Sequence, residues 1–383
     1  MLKPDWTRHF GLRDAGVYYA LILIMVVLAL VTYASGRPAY FSALNITNIL
    51  YQSSMIALMG VAMTVILITG NFDLSVGSVA ALGAVATVGL AGPLGFPLAA
   101  LCALLACLAV GVLNGSIVQF LGINAFIVTL GTLTAIRGLV LILTDGRSLL
   151  VSTPEARAQM QAFEGGKIPM DGVFLVAGLA LVAVCAALLL RARAKGTPYG
   201  ASLPGGIAGG AAMVALALIW GDAFQIAKPV IYVALYTAVV WAVLTFTTTG
   251  RRVYATGGNA VAARLSGVNV AAYKMAGFML SSATAGFAGI LFGSRLGAVN
   301  PTALQGAELT VIAAAILGGT SLFGGAGSVI KTLVGALVLF TLTNGFNILN
   351  LGANYQGLIE GTVVVAAAAI YTVGGTRRRK AAG

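Results

Sequence analysis

Charge is what this sequence has least of. Asp, Glu, Lys and Arg together make up 8% of its 383 residues, 59% are hydrophobic, and the mean hydropathy is +0.99. Soluble domains carry about 25% charged residues, so no water-soluble surface can be built from this chain. Histidine occurs once, at His9 in the N-terminal tail, and the three cysteines, Cys102, Cys107 and Cys185, sit in apolar stretches without CxxC spacing. Neither a zinc site nor a disulfide framework fits that inventory. No carboxylate pair recurs at catalytic spacing either, so no metal site and no catalytic residue is expected. The net charge of +12 does not mark a nucleic-acid binder, because the bases are confined to short loops and tails instead of forming a basic, aromatic face.

What is present in quantity is uninterrupted apolar sequence. No charged residue occurs in 38–72, 74–136, 332–359 or 361–376. A bilayer crossing needs about 20 mostly apolar residues, so each block holds one to three crossings. The breaks between apolar blocks predict helices near 17–36, 49–70, 77–92, 97–120, 123–143, 172–190, 202–220, 229–248, 272–293, 307–320, 329–347 and 356–373. The first run follows Lys3, Arg8 and Arg13 but ends without a small-residue cleavage site, so it is read as a retained helix. Glycines inside apolar runs, among them Gly83, Gly89, Gly111, Gly206, Gly286 and Gly289, are expected at close helix crossings.

The fold class is therefore an all-α polytopic membrane protein with about 10–14 transmembrane helices, a single transmembrane domain over the whole chain. With the N-terminus in the cytoplasm, the loops with Arg191, Arg193 and Lys195, then Arg251, Arg252, Arg264 and Lys274, and the tail Arg377 to Lys380 all fall on the cytoplasmic side. Both termini then lie in the cytoplasm, and Asp145, Glu155, Glu164, Asp171 and Asp222 fall outside. The outer loop at 144–171 contains Ser152-Thr153-Pro154-Glu155, a hydroxyl cap before a proline and an acid, which predicts a short surface helix to about Phe163. In 71–92 and 307–328, glycine and polar residues interrupt the apolar pattern, as in broken or re-entrant segments. Asp73-Leu74-Ser75-Val76 and Glu308-Leu309-Thr310-Val311 each open a small-residue segment, and their places in the helix order predict inverted internal repeats over about 49–143 and 229–373, with extra helices at about 172–220.

A phosphate-binding loop is nearly spelled by Gly325 to Thr332, but Ile330 stands where the second glycine is required. Any ATP must therefore be hydrolysed by another polypeptide, and this chain needs no cofactor of its own. The segment 249–271 is the candidate coupling loop. Its Gly258, Asn259, Ala262, Ala263, Arg264 and Gly267 outline a short Ala-rich helix between glycine breaks, fit either for a partner's cleft or for a connector lying on lipid headgroups.

Asn71, Asp73 and Ser75 put polar groups between apolar helices, where an ionisable side chain either serves function or caps the next helix through its backbone amides; Glu308 would do the same in the second half. With Tyr51, Asn124, Phe126, Asn344, Phe346 and Asn354 they make the candidate translocation pathway, since amides and flat rings suit a neutral polyol. Each taken singly also fits a helix–helix hydrogen bond or a packing ring.

The stretch Asn71 to Ser78, the loop from Gly258 to Val270, and Glu308-Leu309-Thr310 followed by Gly318-Gly319-Thr320-Ser321-Leu322-Phe323-Gly324-Gly325-Ala326-Gly327-Ser328 together resemble the ribose/xylose/galactose-type permease subunits of ABC sugar importers. The resemblance runs from about Asn45 to Val373, and the extra helices near 172–220 resemble the xylose permeases. Asn71-Phe72 departs from the Gly-Ile more usual before this acid, which leaves substrate detail open. The resemblance implies a homodimer in the bacterial inner membrane, a cytoplasmic ATP-binding subunit holding ATP and Mg, a periplasmic sugar-binding protein, and a monosaccharide cargo, xylose or a similar pentose. It also implies that the Gly258–Gly267 loop meets the ATPase. The alternative is a secondary transporter driven by an ion gradient, which would use Asp73, Glu308 or Glu360.

Overall fold

The structure is a computed structural model that describes residues 12–196, 202–351, 357–358 and 361–362. The helix expected at 356–373 is described only at 357–358 and 361–362, which are helical, and the basic tail, His9 and Asn354 lie outside the described residues.

The chain folds as helices joined by short turns: α1 (Leu12–Ala34), α2 (Ala43–Ile68), α3 (Val76–Leu94), α4 (Phe96–Phe120), α5 (Ala125–Thr144), the surface helix α6 (Pro154–Glu164), α7 (Asp171–Ala194), α8 (Ser202–Trp220), α9 (Lys228–Phe246), α10 (Thr248–Gly258), α11 (Ala260–Leu265), α12 (Val270–Leu296), α13 (Ala307–Leu317) and α14 (Val329–Ile348). Ten of them are long and apolar enough to cross a membrane among the described residues, and α13 is a shorter apolar helix. Four short strands form two antiparallel ladders, β1 (Leu149–Leu150) with β4 (Ala298–Val299) and β2 (Lys167–Pro169) with β3 (Gln225–Ala227).

Local chemistry sets the helix starts. Side chains of Ser42, Asn124, Thr153, Thr247, Asn259, Asn269 and Ser328 each accept from a backbone amide in the first turn that follows. Thr153 with Pro154 and Glu155 gives the expected surface helix. One helix went unforeseen: α10 continues the chain past residue 248, where a loop was expected, because Thr247 breaks α9 in extended conformation and caps a new helix.

Burial separates centre from rim. The apolar windows of α2, α3 and α12 are 78%, 72% and 61% buried, whereas those of α7 and α8 are 11%. The centre packs Leu58, Met63, Val79, Phe278, Ala288 and Val311 into one core. The small residues allow this density: a Cβ on Gly83 would lie 2.7 Å from the carbonyl oxygen of Gly286, so α3 and α12 touch backbone to backbone. Outer faces of α1, α4, α5 and α7 leave Leu23, Leu30, Leu105, Ile142 and Val176 exposed, as helices facing lipid do.

The two ends of the bundle differ. At one end lie α6 and both ladders, where Tyr51 of α2 meets Arg295 of α12; at the other lie α10 and α11, where Ile68 of α2 meets Gly325. The two irregular segments are broken crossings that traverse the bundle, not loops that enter and leave on one side. Asp73 binds Ser281 near the middle of α12, so α3 begins at mid-depth and runs until Gly92 reaches Ser152 at the α6 end. Helix α13 begins beside it, with Glu308 against the Cα of Gly77, and runs the opposite way until Gly318 packs on Thr332 near the start of α14. The full-length α3 and the short α13 thus start side by side and diverge.

Candidate functional site

The middle of the bundle is built around two carboxylates at the positive ends of α3 and α13, the placement a helix dipole favours. Asp73 is fully buried. Its Oδ1 accepts from the Ser75 amide at 2.9 Å and the Ser75 hydroxyl at 2.6 Å, and its Oδ2 accepts from the Ser281 hydroxyl at 2.6 Å. The Ser75 hydroxyl in turn accepts from Asn114 Nδ2 at 3.1 Å, and Asn114 Oδ1 accepts from the Thr132 hydroxyl at 2.6 Å. One chain of hydrogen bonds therefore ties α12, the break, α4 and α5 together. The sequence offered Asp73 as the cap of α3, but the N-cap is Ser75, without a side-chain cap bond, and Asp73 closes a tight turn onto the Ser75 amide and braces the helices instead.

Glu308 does a different job from the cap expected of it. Gly306 precedes α13 and contributes no side-chain cap. The Glu308 carboxylate instead reaches sideways: its Oε1 pairs with Arg137 Nη2 at 3.4 Å, while its Oε2 is buried with no hydrogen-bond partner. Arg137 was missed as a site residue, although the single base in a long apolar run was a signal for it.

The other pathway residues separate. Asn71 is buried in the break and donates to Thr69 Oγ1 at 3.3 Å, close to Asp73 in the chain. Asn344 donates to Asn45 Oδ1 at 2.9 Å, a bond between α14 and α2, with Phe346 half-buried nearby. Tyr51 lies at the α6 end, where its hydroxyl donates to Glu164. Asn124 and Phe126 are not brought to this set: Asn124 is the exposed cap of α5, its Oδ1 accepting from the Phe126 amide at 2.9 Å, and the Phe126 ring is exposed.

At the opposite end the sequence motifs meet. The Gly325 amide donates to the Ile68 carbonyl at 2.9 Å, and the Tyr254 hydroxyl donates to the Gly327 carbonyl at 2.9 Å. Burial pushes the Tyr254 hydroxyl above its usual range, so it stays a donor. Gly324 and Gly325 have φ of +85° and +72°, and a Cβ there would stand 2.7 Å from the Gly257 oxygen and from the Gly258 Cα respectively. Only glycine satisfies both demands. The end of α2, the end of α10 and the 324–327 turn are thereby locked at backbone level.

Helix α11 projects from this lock. Asn259 caps it by accepting from the Ala262 amide at 3.0 Å, and Gly267, with φ of +81°, turns the chain into α12. Ala263 faces the body at 5% exposure, while Val261 and Leu265 are 70% and 85% exposed, beside exposed Ala262 and Arg264. Phe323, in the turn next to the lock, is 94% exposed. Val261, Leu265 and Phe323 are the candidates that sequence reasoning did not single out.

Broken crossings that meet near mid-depth in a polytopic bundle are a plan shared by many membrane transport proteins. Residues 45–368 match the family described as the branched-chain amino acid transport system / permease component, and the chain belongs to it. It is similar to the xylose transport system permease protein XylH of Escherichia coli (strain K12), 33% identical over 374 residues that cover 95% of this chain and 93% of that protein. It is also similar to the ribose import permease protein RbsC of the same strain, 34% identical over 353 residues covering 91% of each chain. To RbsC of Haemophilus influenzae it is 32% identical over 362 residues, 94% of each. No solved structure matches the chain.

Proposed function

We propose that this chain is the membrane-spanning subunit of a binding-protein-dependent ABC importer that moves a monosaccharide, xylose or a similar pentose, into the cytoplasm. The xylose and ribose permeases among its relatives support sugar as the cargo. The observation that carries the coupling is α11: a capped helix whose Val261 and Leu265 face outward from a platform locked to α2 by backbone contact. Such a helix transmits force into the bundle instead of flexing away from it.

In this reading the α10–α11 end faces the cytoplasm and docks an ATP-binding subunit, which holds ATP and Mg; the chain itself holds no cofactor. Both termini are cytoplasmic, and the membrane is the bacterial inner membrane. The α6 end faces the periplasm and receives a sugar-binding protein. Two copies of the permease form the pathway, each built from inverted repeats at about 49–143 and 229–373. ATP-driven closure of the ATPase dimer moves α11, and α3 and α13, meeting at Asp73 and Glu308, shift relative to one another to open the path to alternate sides.

Pull-down of the tagged chain from its native membrane in mild detergent tests this reading. Recovery of an ATPase, with uptake that survives collapse of the proton gradient while ATP is maintained, is expected. Recovery of the chain alone, with uptake abolished by a protonophore, would instead make it a gradient-driven transporter. The bonding of Asp73 argues against that rival, since both of its oxygens accept hydrogen bonds.

A further inference from the structure

We propose that the cavity between the start of α2, the last turn of α6 and the β2–β3 ladder is a monosaccharide site at the outer mouth of the permease. It rests on the importer reading and adds a place where sugar is received before entering the bundle. The cavity measures about 180 Å³ and is lined by Thr47, Asn48, Tyr51, Glu164, Lys167 and Gln225 along with small residues. At 10–15 Å³ per water-sized position that is roughly 12–18 positions, enough for the ten or so non-hydrogen atoms of a pentose.

The chemistry of the lining suits a neutral polyol. A sugar hydroxyl both donates and accepts, and the walls offer two amides that do both, a carboxylate that accepts and an ammonium that donates. Glu164 and Lys167 are opposite in sign, so the lining carries no net charge that would favour an anion or a cation over a neutral ligand.

The walls are pre-set. Glu164 is buried and its Oε1 accepts from the Tyr51 hydroxyl at 2.5 Å. The Arg295 guanidinium lies 4.2 Å from the centroid of the Tyr51 ring, which fixes that ring from the α12 side. Helix α6 is itself pinned, since the Tyr232 hydroxyl donates to the Phe163 carbonyl at 2.8 Å and the two rings stack at 5.5 Å. A site held this way needs little rearrangement to bind.

The ladder that roofs the cavity has a second meaning. Lys167 pairs with Ala227 and Pro169 with Gln225, and the helices between these strands are α7 and α8. The helix hairpin is thus inserted at the roof, and its two base strands contribute Lys167 and Gln225 to the lining.

The full-length chain in lipid nanodiscs, with no partner, is titrated with D-xylose and D-ribose and followed by saturation-transfer NMR. Asn48→Trp fills the cavity, and Gln225→Leu removes an amide whose Nε2 also donates to the Asp222 carbonyl at 3.1 Å, so its melting temperature is compared with wild type before its binding is read. Uptake is measured in parallel on the complex reconstituted with its ATP-binding and sugar-binding subunits. Saturable binding of a pentose that weakens about tenfold or more in Gln225→Leu, and again in Asn48→Trp, is expected. Binding unchanged in Gln225→Leu overturns the site, as does no saturable binding by the wild-type chain while the complex still imports sugar; both outcomes leave the importer standing. Failure of the intact complex to import any sugar overturns the importer reading and the site with it.

Discussion

Arg137 and Glu308 are 171 residues apart in sequence, yet they form an ion pair between α5 and the first turn of α13 at the level where α3 and α13 start. The Glu308 side chain is 10% exposed and the Arg137 side chain 29%, so the carboxylate depends on the guanidinium more than the reverse. Arg137→Met leaves a buried carboxylate without its cation. The expected cost is about 2–3 kcal/mol, below the 3–5 typical of a fully buried pair because Arg137 still reaches solvent. The double variant Arg137→Met/Glu308→Gln should recover most of that loss, a coupling read from a double-mutant cycle of unfolding in detergent. A double-variant loss equal to the sum of the losses in Arg137→Met and Glu308→Gln alone would mean that the pair contributes nothing. Asp73 belongs to the same scale: an acid two residues before Ser75 states its turn onto that residue locally, whereas its bond to Ser281 and the partner of Glu308 are supplied only by folding.

At the scale of elements, α11 was foreseen as a short helix between glycines, but its orientation was not. Six residues make fewer than two turns, too few for an apolar stripe to be read from the sequence. Ala263, a natural choice for a disruptive substitution, is buried, so Ala263→Asp should lower folding yield and says nothing about docking. Val261→Asp and Leu265→Asp replace exposed side chains. Each is expected to leave the melting temperature within about 2 °C of wild type, since exposed substitutions usually change stability by less than 0.5 kcal/mol. Each should nonetheless reduce co-purification of the ATP-binding subunit and sugar-stimulated ATPase activity by about tenfold or more, the loss expected when an apolar anchor is replaced by a charge. Normal coupling in both variants would place the docking surface elsewhere.

Across the whole molecule, α7 and α8 form a hairpin that packs chiefly on itself, through Gly178 against Gly210 and Gly206 against Cys185, and joins the bundle at the β2–β3 ladder. The Met170 amide already donates to the Phe224 carbonyl at 2.8 Å across the base of that hairpin. Excising 171–223 and closing the gap with an Asn-Gly turn removes two crossings, so the direction of every later helix is kept. The shortened chain should insert and elute as a monodisperse species with α11 still able to bind the ATPase. Size-exclusion chromatography of a fluorescent fusion checks this, and aggregation would show that the hairpin supports the core.

The sequence by itself determined the membrane class, nearly every crossing, the surface helix at Thr153 and the breaks at Asp73 and Glu308. Each of these follows from hydrophobic run length or from capping chemistry within a few residues. Only the tertiary structure decided that the two breaks meet, that Arg137 answers Glu308, that the Gly257–Gly258 and Gly324–Gly325 pairs lock onto the end of α2, and that Asn124 and Phe126 stand apart. Those facts depend on contacts between residues far apart in the chain. In a sequence where nearly every helix is apolar on all sides, no periodicity marks which face is buried against protein and which meets lipid.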